Sequence, residues 1–352
     1  MKKKVLSVIL TLCFIFSPLM VYADSNSKVP EGVNNVVRIF DGIAEVIDNW
    51  ILKMSFRQNY SGCEALCDIP CLDEGYIPQG FCFIDSMNLY AVSAYKSDSN
   101  SIISLIDAET GKTIKTVKLC YADGSACKSH AGGVADIGDY LFVSTGKSMN
   151  RIKISDILSA ENFSEVAFCG KISADMQASN ACSYGNYLFI GKFYSFTLDG
   201  SYDSDPSQWV KGTDGKRYYA MCEVFDMSNM EEVIENEGAV PVAVLTLPNS
   251  VQGIAYDGKY FYTSSSSSCI GYSYVKKFIL EDFETDYYTE MNGQNVPLIM
   301  LTKDKQVDMV KLPPMVEGID IKDGNVHGIF ESGADKFPIV SVRTPYICKF
   351  TF

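Results

Sequence analysis

The sequence predicts an all-β fold, a five-bladed β-propeller, and repeated units of one pattern are the main observation behind it. Short runs of Tyr, Phe, Val and Ile alternate with Gly, Asp and Ser turns. Residues 130–143 align without a gap on residues 177–190, and residues 250–263 keep the same register. Looser copies begin at Ile77 and Met315, so five copies of one unit cover this part of the chain.

Each copy contains two strands joined by a tight Gly/Asp turn, and further β runs follow most copies. In the first copy these are Ile102–Ile106 and Thr113–Leu119, which flank a turn. Four short antiparallel strands per repeat are typical of propeller blades. A sixth blade within the long third copy is the alternative.

The joints between copies predict how the ring closes. Leu247-Pro and Leu312-Pro each end an outer strand before the next inner strand, and Ile69-Pro has the same form although no complete copy precedes it. We therefore expect residues 64–72 to be the outer strand of the last blade, whose inner strands come from 317–352. Pairing the two chain ends removes open sheet edges.

The N-terminal residues predict export. Residues 1–23 combine three lysines, an apolar run and a small-residue ending, the layout of a signal peptide cleaved after Ala23. Ser17 and Pro18 interrupt the apolar run, which is then short for a spanning helix. We expect a secreted, extracellular protein without stable membrane insertion.

A helical segment, residues 24–63, separates the signal peptide from the β-propeller domain, residues 64–352. Seven apolar residues recur there at spacings of three and four: Val33, Val36, Phe40, Ile43, Ile47, Trp50 and Met54. This spacing predicts one amphipathic helix over residues 33–54.

Composition and charge limit the classes of function that fit the chain. Hydrophobic residues make up 47% of the chain, enough for a full core, and the formal net charge is −13. Such an acidic chain is unsuited to nucleic acid, because phosphate contacts need clustered cations. Twelve cysteines fit an exported protein, and a Cys120–Cys127 disulfide would close a short loop. With only two histidines, disulfides or buried thiols are favoured over a metal centre.

The fold predicts a ligand site where the inner strands enter the axis. Polar and small residues share one level of the five inner strands: Gln79, Gly132, Ser179, Gln252 and Glu317. His130 and Gln177 lie two residues earlier on the same faces, and Asn180 follows Ser179. Their side chains are suited to a sugar, a peptide, an amino acid or a hydrated cation. A polar channel that holds only water is the alternative.

Two further groups lie on the same rim. Lys96 and Lys147 occupy equivalent loops and are candidates for an anion, or else solvated lysines. The long insertion 194–217 contains Trp209, which is suited to stacking on a sugar ring, and aspartates that are possible calcium ligands. No other cofactor is predicted.

Catalytic signatures are few. The chain lacks GxSxG and HExxH motifs. Glu317 on the axis, with Glu331 at a nearby strand end, forms a candidate acid and base, and His130 is the rim histidine.

The copies resemble secreted five- or six-bladed propellers, the class of bacterial and plant-type glutaminyl cyclotransferases and of regucalcin-like proteins. The resemblance rests on Pro78–Phe81, Asp107–Lys112 and Glu317–Ile319. In the cyclotransferases acidic and Tyr-Gly motifs follow the second strand, where this chain has Ser-Ala-Tyr-Lys. The regucalcin type binds one divalent ion on the axis, which implies Glu317 and Asn180 as ligands here.

Together these observations favour a propeller that binds a small polar molecule or glycan at its channel mouth without catalysis. A hydrolase or cyclotransferase that uses Glu317 and His130, with or without calcium, is the first alternative. A protein-interaction scaffold is the second.

Overall fold

The computed structural model describes residues 62–195, 209–266, 268–269, 271–285, 287–338 and 340–352. All of them belong to one structural unit. The predicted signal peptide, residues 1–23, and the predicted helix, residues 33–54, lie outside the described residues. No helix of the described part is both long enough and apolar enough to span a bilayer.

The predicted blades form five separate sheets. Strand β1 (Cys63–Asp68) is followed by the first blade, which contains β2 (Ile77–Ile84), β3 (Leu89–Tyr95), β4 (Ile102–Asp107) and β5 (Thr113–Cys120). The second blade contains β6 (Val134–Ile137), β7 (Tyr140–Thr145), β8 (Ser148–Lys153) and β10 (Lys171–Ser173). Between them, α1 (Ile154–Ser159) follows β8, and β9 (Glu165–Ala167) adds a parallel strand to the first blade.

A hairpin from the chain segment of the fourth blade extends the sheet of the third blade. The third blade contains β11 (Asn180–Tyr184), β12 (Tyr187–Gly191), β15 (Ala220–Asp226) and β16 (Ala243–Leu247). The short hairpin β13 (Val210–Lys211) and β14 (Arg217–Tyr218) precedes β15, and α2 (Met230–Glu235) follows it. The fourth blade contains β17 (Val251–Tyr256), β18 (Tyr260–Ser265), β19 (Ser273–Ile279) and β22 (Gln306–Leu312). The hairpin β20 (Tyr288–Met291) and β21 (Gln294–Ile299) leaves the fourth blade and joins the third, where β21 pairs in parallel with β16.

The ring closes as predicted. The fifth blade contains β23 (Val316–Lys322), β24 (Asn325–Phe330) and β25 (Tyr346–Phe350), and β1 is its outer strand. The pairing of β1 with β25 is antiparallel and runs from Cys63 opposite Phe350 to Asp68 opposite Tyr346. No sixth blade forms among the described residues, because the described part of the long insertion contributes only β13 and β14.

The core lies between the blades, because alternate residues of each strand face the two neighbouring blades. In β18, Phe261 packs in a cluster with Phe189 of the third blade. The next residue, Tyr262, packs in a cluster with Val316 and Phe330 of the fifth blade. The fourth blade therefore packs apolar residues against both of its neighbours.

The inner strands approach one another so closely that there is no room for a side chain at two of their glycines. A Cβ on Gly318 would lie 2.5 Å from the backbone nitrogen of Phe81 in the neighbouring blade. A Cβ on Gly80 would lie 2.6 Å from a methyl group of Val134, one blade further on. The predicted requirement for small residues near the axis is confirmed at these positions.

Serine hydroxyls on the second strands hold this part of the ring together. Ser93 accepts a hydrogen bond from the backbone nitrogen of Gly80 at 2.9 Å and donates one to the carbonyl of Ala131 at 2.5 Å. Ser144 accepts from Gly133 at 2.7 Å. Ser264 donates to the carbonyl of Glu317 at 2.7 Å. The hydroxyls of Ser93 and Ser264 therefore each link two neighbouring blades.

The predicted Cys120–Cys127 disulfide is not formed, and no pair of cysteines within the described residues is bonded. A β-bridge places Ala126 opposite Cys120. Cys127 instead lies beside Leu119, to whose carbonyl its backbone nitrogen donates at 3.1 Å. Cys127 and Leu119 belong to one apolar cluster, so the two thiols point to different faces.

Gly318→Ala is expected to lower the free energy of unfolding by roughly 1–3 kcal/mol or more, because the added methyl group meets backbone atoms that have no room to move. Urea titration followed by circular dichroism measures the effect. Gly238→Ala is the matched control, since its nearest neighbour would be a side-chain oxygen at 3.5 Å. Equal stability of the two variants would contradict the close packing at the axis.

Candidate functional site

β-Bulges in three inner strands set the positions of three predicted site residues. The pairing of β2 with β3 shifts register between Pro78 and Phe81, around Gln79. The fourth and fifth blades shift register at the equivalent places, around Gln252 and Glu317. A bulge redirects the side chain of the extra residue away from the regular alternation. These residues lie at the mouth, which we define as the end of the axis where β2, β6, β11, β17 and β23 begin.

Two carboxyl groups and one amide converge at the mouth between the fifth and first blades. Gln79 Nε2 donates to Glu331 Oε1 at 2.9 Å and to its neighbouring carbonyl, Pro78 O, at 2.9 Å. Glu331 is held by its backbone nitrogen, which donates to Met315 O at 2.9 Å. Glu317 is 4% exposed and interacts electrostatically with Glu331. We call Glu317 and Glu331 the carboxyl pair.

Burial makes both members of the carboxyl pair weak acids. Burial, and then the charge of Glu331, raise the pKa of Glu317 well above its ordinary value. Burial also raises the pKa of Glu331 to about 7, although the Gln79 hydrogen bond and the charge of Lys336 oppose the shift. Both shifts favour the protonated forms, so the pair retains protons to higher pH than exposed glutamates do, and a protonated carboxyl can donate to an ionised one.

Tyr95, Lys336 and His130 border the carboxyl pair. Lys336 Nζ donates to Tyr95 Oη at 3.1 Å. Burial raises the pKa of Tyr95, and both carboxyls of the pair add to this shift while Lys336 opposes it. The ring of His130 is exposed and lies against Tyr95, with 4.2 Å between the ring centroids.

The other predicted ligand residues are distributed around the ring. Ser179 and Gln252 are half-buried at the mouth, and Gln177 is exposed. Asn180 is 1% exposed, and its Nδ2 donates to Val251 O at 3.2 Å across the joint of two blades. This bond links the third and fourth blades, so Asn180 has a structural role.

The two rim lysines are not equivalent in the structure. Lys96 Nζ donates to Glu74 O at 3.0 Å and lies 5.9 Å from the ring centre of Tyr76. Lys147 is exposed, and burial raises the pKa of Glu223 to about 8 although the charge of Lys147 opposes the shift. Their loops share a register, but their side chains have different neighbours.

Trp209 lies in an aromatic group near the joint of the third and fourth blades. Its ring meets Tyr219 edge-on, with 5.1 Å between centroids, and the guanidinium of Arg217 lies 5.4 Å from its ring centre. Tyr219 stacks on Tyr194, whose carbonyl accepts from Ser250 N at 2.7 Å. The half-buried Trp209 therefore has aromatic and cationic neighbours.

Sequence reasoning missed a second carboxyl pair, Asp136 and Asp320, further along the inner strands. Burial raises the pKa of Asp136 to about 6 and that of Asp320 to about 7, and the charge of Asp136 adds to the second shift. Phe83 N donates to Asp320 at 2.8 Å, and Ser183 donates to Asp136 at 3.3 Å. Their sequence signal was an acidic residue within an inner strand, four residues after Gly132 in one blade and three residues after Glu317 in the other.

Sequence reasoning also missed Tyr95 and Lys336. Tyr95 ends the second strand of the first blade, one residue before the predicted Lys96. Lys336 follows a 3₁₀ turn, Glu331–Gly333, for which no repeat provides a counterpart. Among the described residues, no group of three or more His, Cys, Asp or Glu side chains has the arrangement of a metal site.

The sheets define the chain as a five-bladed β-propeller, and comparisons with known proteins add little beyond the fold. No protein-family model and no curated protein sequence matches the chain. The solved structures similar to it include the glutaminyl cyclase of Myxococcus xanthus, with 10% identity, a TM-score of 0.42 and coverage of 83% of this chain and 94% of that one. The WD40 repeats of RRP9 are similar at 9% identity, with a TM-score of 0.40 and coverage of 82% and 97%.

Glu317→Gln is expected to make the protein more stable than the unmodified chain at pH 8 and equally stable at pH 4. The pKa of Glu317 in the folded state is raised above the unfolded value of about 4.3, so the folded state retains a proton that the unfolded state loses. The stability of the unmodified protein therefore falls as pH rises above about 4.3, and the amide removes this penalty.

Urea titrations at pH 4, 6 and 8 measure the difference. Glu109→Gln is the control, because Glu109 is exposed on a turn. A Glu317→Gln variant that is less stable than the unmodified protein at pH 8 would show that Glu317 is ionised and well paired in the folded state.

Proposed function

We propose that this β-propeller binds a small polar ligand at its mouth, through the carboxyl pair and Gln79. The observation that carries the proposal is the convergence of Glu331 and Gln79, joined at 2.9 Å, beside the buried Glu317. Carboxyls buried without a countercharge cost free energy, and a ligand that supplies donors or positive charge lowers that cost. Sugar hydroxyls, amides and ammonium groups have this chemistry.

The site combines hydrogen-bonding groups with an aromatic wall. Tyr95, in contact with His130 and Lys336, borders the carboxyl pair. An aromatic ring beside carboxylate and amide groups suits the apolar face and polar edge of a sugar, or the side chain of an amino acid or peptide. Ser179 and Gln252 extend the same level around the mouth.

Export belongs to the same proposal. Residues 1–23 are proposed as a signal peptide cleaved after Ala23, so the ligand would be met outside the cytoplasm. N-terminal sequencing of protein recovered from the exported fraction tests this proposal, and Asp24 is the expected first residue. A mature chain that still carries residues 1–23 would contradict it.

Ligand binding is expected to depend on the carboxyl pair and to exchange protons with solvent. Calorimetric titration with sugars, free amino acids, short peptides and Ca²⁺ identifies the class, and Glu317→Gln should weaken binding about tenfold or more. A cationic ligand should release protons near pH 7, because it favours the ionised carboxyls. Repeating the titration in buffers of different ionisation enthalpy measures that release.

Glu290→Gln, on the edge strand β20, is the matched control for Glu317→Gln and should leave binding unchanged. Binding that survives Glu317→Gln and Gln79→Leu together would contradict the proposed site. Absence of binding by every probe would favour the protein-interaction scaffold.

Catalysis is the second candidate function, and the raised pKa values of the carboxyl pair favour it. A protonated and an ionised carboxyl side by side can act as general acid and general base in a propeller hydrolase or cyclotransferase. His130, stacked on Tyr95, would then bind or orient substrate. Turnover abolished by Glu317→Gln but only reduced by His130→Ala would support this function over simple binding.

A further inference from the structure

One face of the fourth blade carries hydrogen-bonding groups that the protein itself leaves unused. Thr263 of β18 lies directly opposite Lys276 of β19, and Ser265 lies opposite Tyr274. Side chains directly opposite one another in a sheet share a face. Phe261 and Phe278 lie on that same face and pack against the third blade, so Thr263, Ser265 and Lys276 face the joint between the third and fourth blades.

The two hydroxyl groups are buried without a partner. Thr263 is 0% exposed and Ser265 is 9% exposed, and within the described residues neither Oγ1 of Thr263 nor Oγ of Ser265 makes a hydrogen bond. A buried hydroxyl without a partner costs about 1–3 kcal/mol, and such groups are rare in folded proteins. By contrast, Ser264 on the other face donates its hydroxyl proton to Glu317 O at 2.7 Å, and Gly253 O lies at 3.3 Å from the same oxygen.

Lys276 provides an uncompensated positive charge beside these hydroxyls. It is half-buried, and within the described part of the chain its ammonium forms no hydrogen bond, ion pair or contact with an aromatic ring. Burial lowers the pKa of Lys276, and the nearby charge of Lys216 lowers it further. Lys216 has Asp214 at 4.0 Å as its own partner. The next residue, Lys277, differs because its ammonium lies 4.0 Å from the ring centre of Tyr260.

We propose that Lys276, Thr263 and Ser265 form a binding site for a small oxyanion between the third and fourth blades. An oxyanion accepts hydrogen bonds from all three groups and neutralises the ammonium, whereas a water molecule supplies no charge. One phosphate, sulfate or carboxylate group has enough acceptor oxygens for these three donors. Because Thr263 is fully covered, the side chains over it have to move apart for such a group to reach its hydroxyl. The site faces the third blade, while the carboxyl pair lies towards the fifth and first blades.

The proposal is tested by calorimetric titration of the full chain with inorganic phosphate, sulfate and acetate. Lys276→Met and Thr263→Val are expected to weaken phosphate binding at least about tenfold and about fivefold, because each removes a hydrogen bond to a charged group. Lys277→Met removes the same charge from the adjacent position and should leave binding unchanged. Circular dichroism verifies that each variant is folded.

Glucose 6-phosphate serves as a second probe for the origin of the ligand. Binding of inorganic phosphate alone assigns the site to a free ion, and equal binding of the sugar phosphate assigns it to a phosphoryl group on a larger ligand. Absence of binding by the unmodified protein at 10 mM of every probe overturns the proposal. Equal losses in Lys276→Met and Lys277→Met also overturn it, because they indicate an effect of net charge alone.

Discussion

The close approach of five inner strands at one axis is the constraint on which the rest of this structure depends. A Cβ on Gly318 would clash with the backbone of Phe81, and a Cβ on Gly80 would clash with a methyl group of Val134. The chain responds with glycines at these points and with bulges beside them in three blades. The ring closes through the pairing of β1 with β25, so every blade packs between two neighbouring blades.

Crowding at the axis also produces the chemistry of the mouth. The bulges place Gln79 and Glu317 where neighbouring inner strands begin, and the turn after β24 brings Glu331 to the same place. Water is largely excluded from Glu317, so its proton is held tightly and the charge of Glu331 adds to the effect. The close packing of the inner strands therefore also creates a pair of carboxyls that can exchange a proton or accept a hydrogen bond from a ligand. The proposed function depends on that pair.

The joints between blades provide a second kind of environment. Each sheet has two buried faces, and most of their residues are apolar. Polar residues on such faces are costly unless they are paired, as Ser264 is with Glu317 O. Thr263 and Ser265 lack that pairing, and Lys276 lies opposite them. The two faces of β18 therefore differ: the hydroxyl of Ser264 is bonded within the protein, whereas those of Thr263 and Ser265 are the proposed ligand groups.

The residue pattern alone predicts the repeat, the five blades, the closing strand and the small residues at the axis, because local alternation and turn residues encode strands and register. It also placed Gln79 and Glu317 at one level of the ring. It also placed Glu331 at a nearby strand end, whereas the positions of Tyr95 and Lys336 beside these residues emerged only from the folded chain, because no repeat relates the strand end and the turn on which they lie. The tertiary structure likewise separated Cys120 from Cys127, because a β-bridge of one particular register fixes which residues are opposite. Side-chain neighbours across blades depend on packing between distant segments, and no local pattern encodes them.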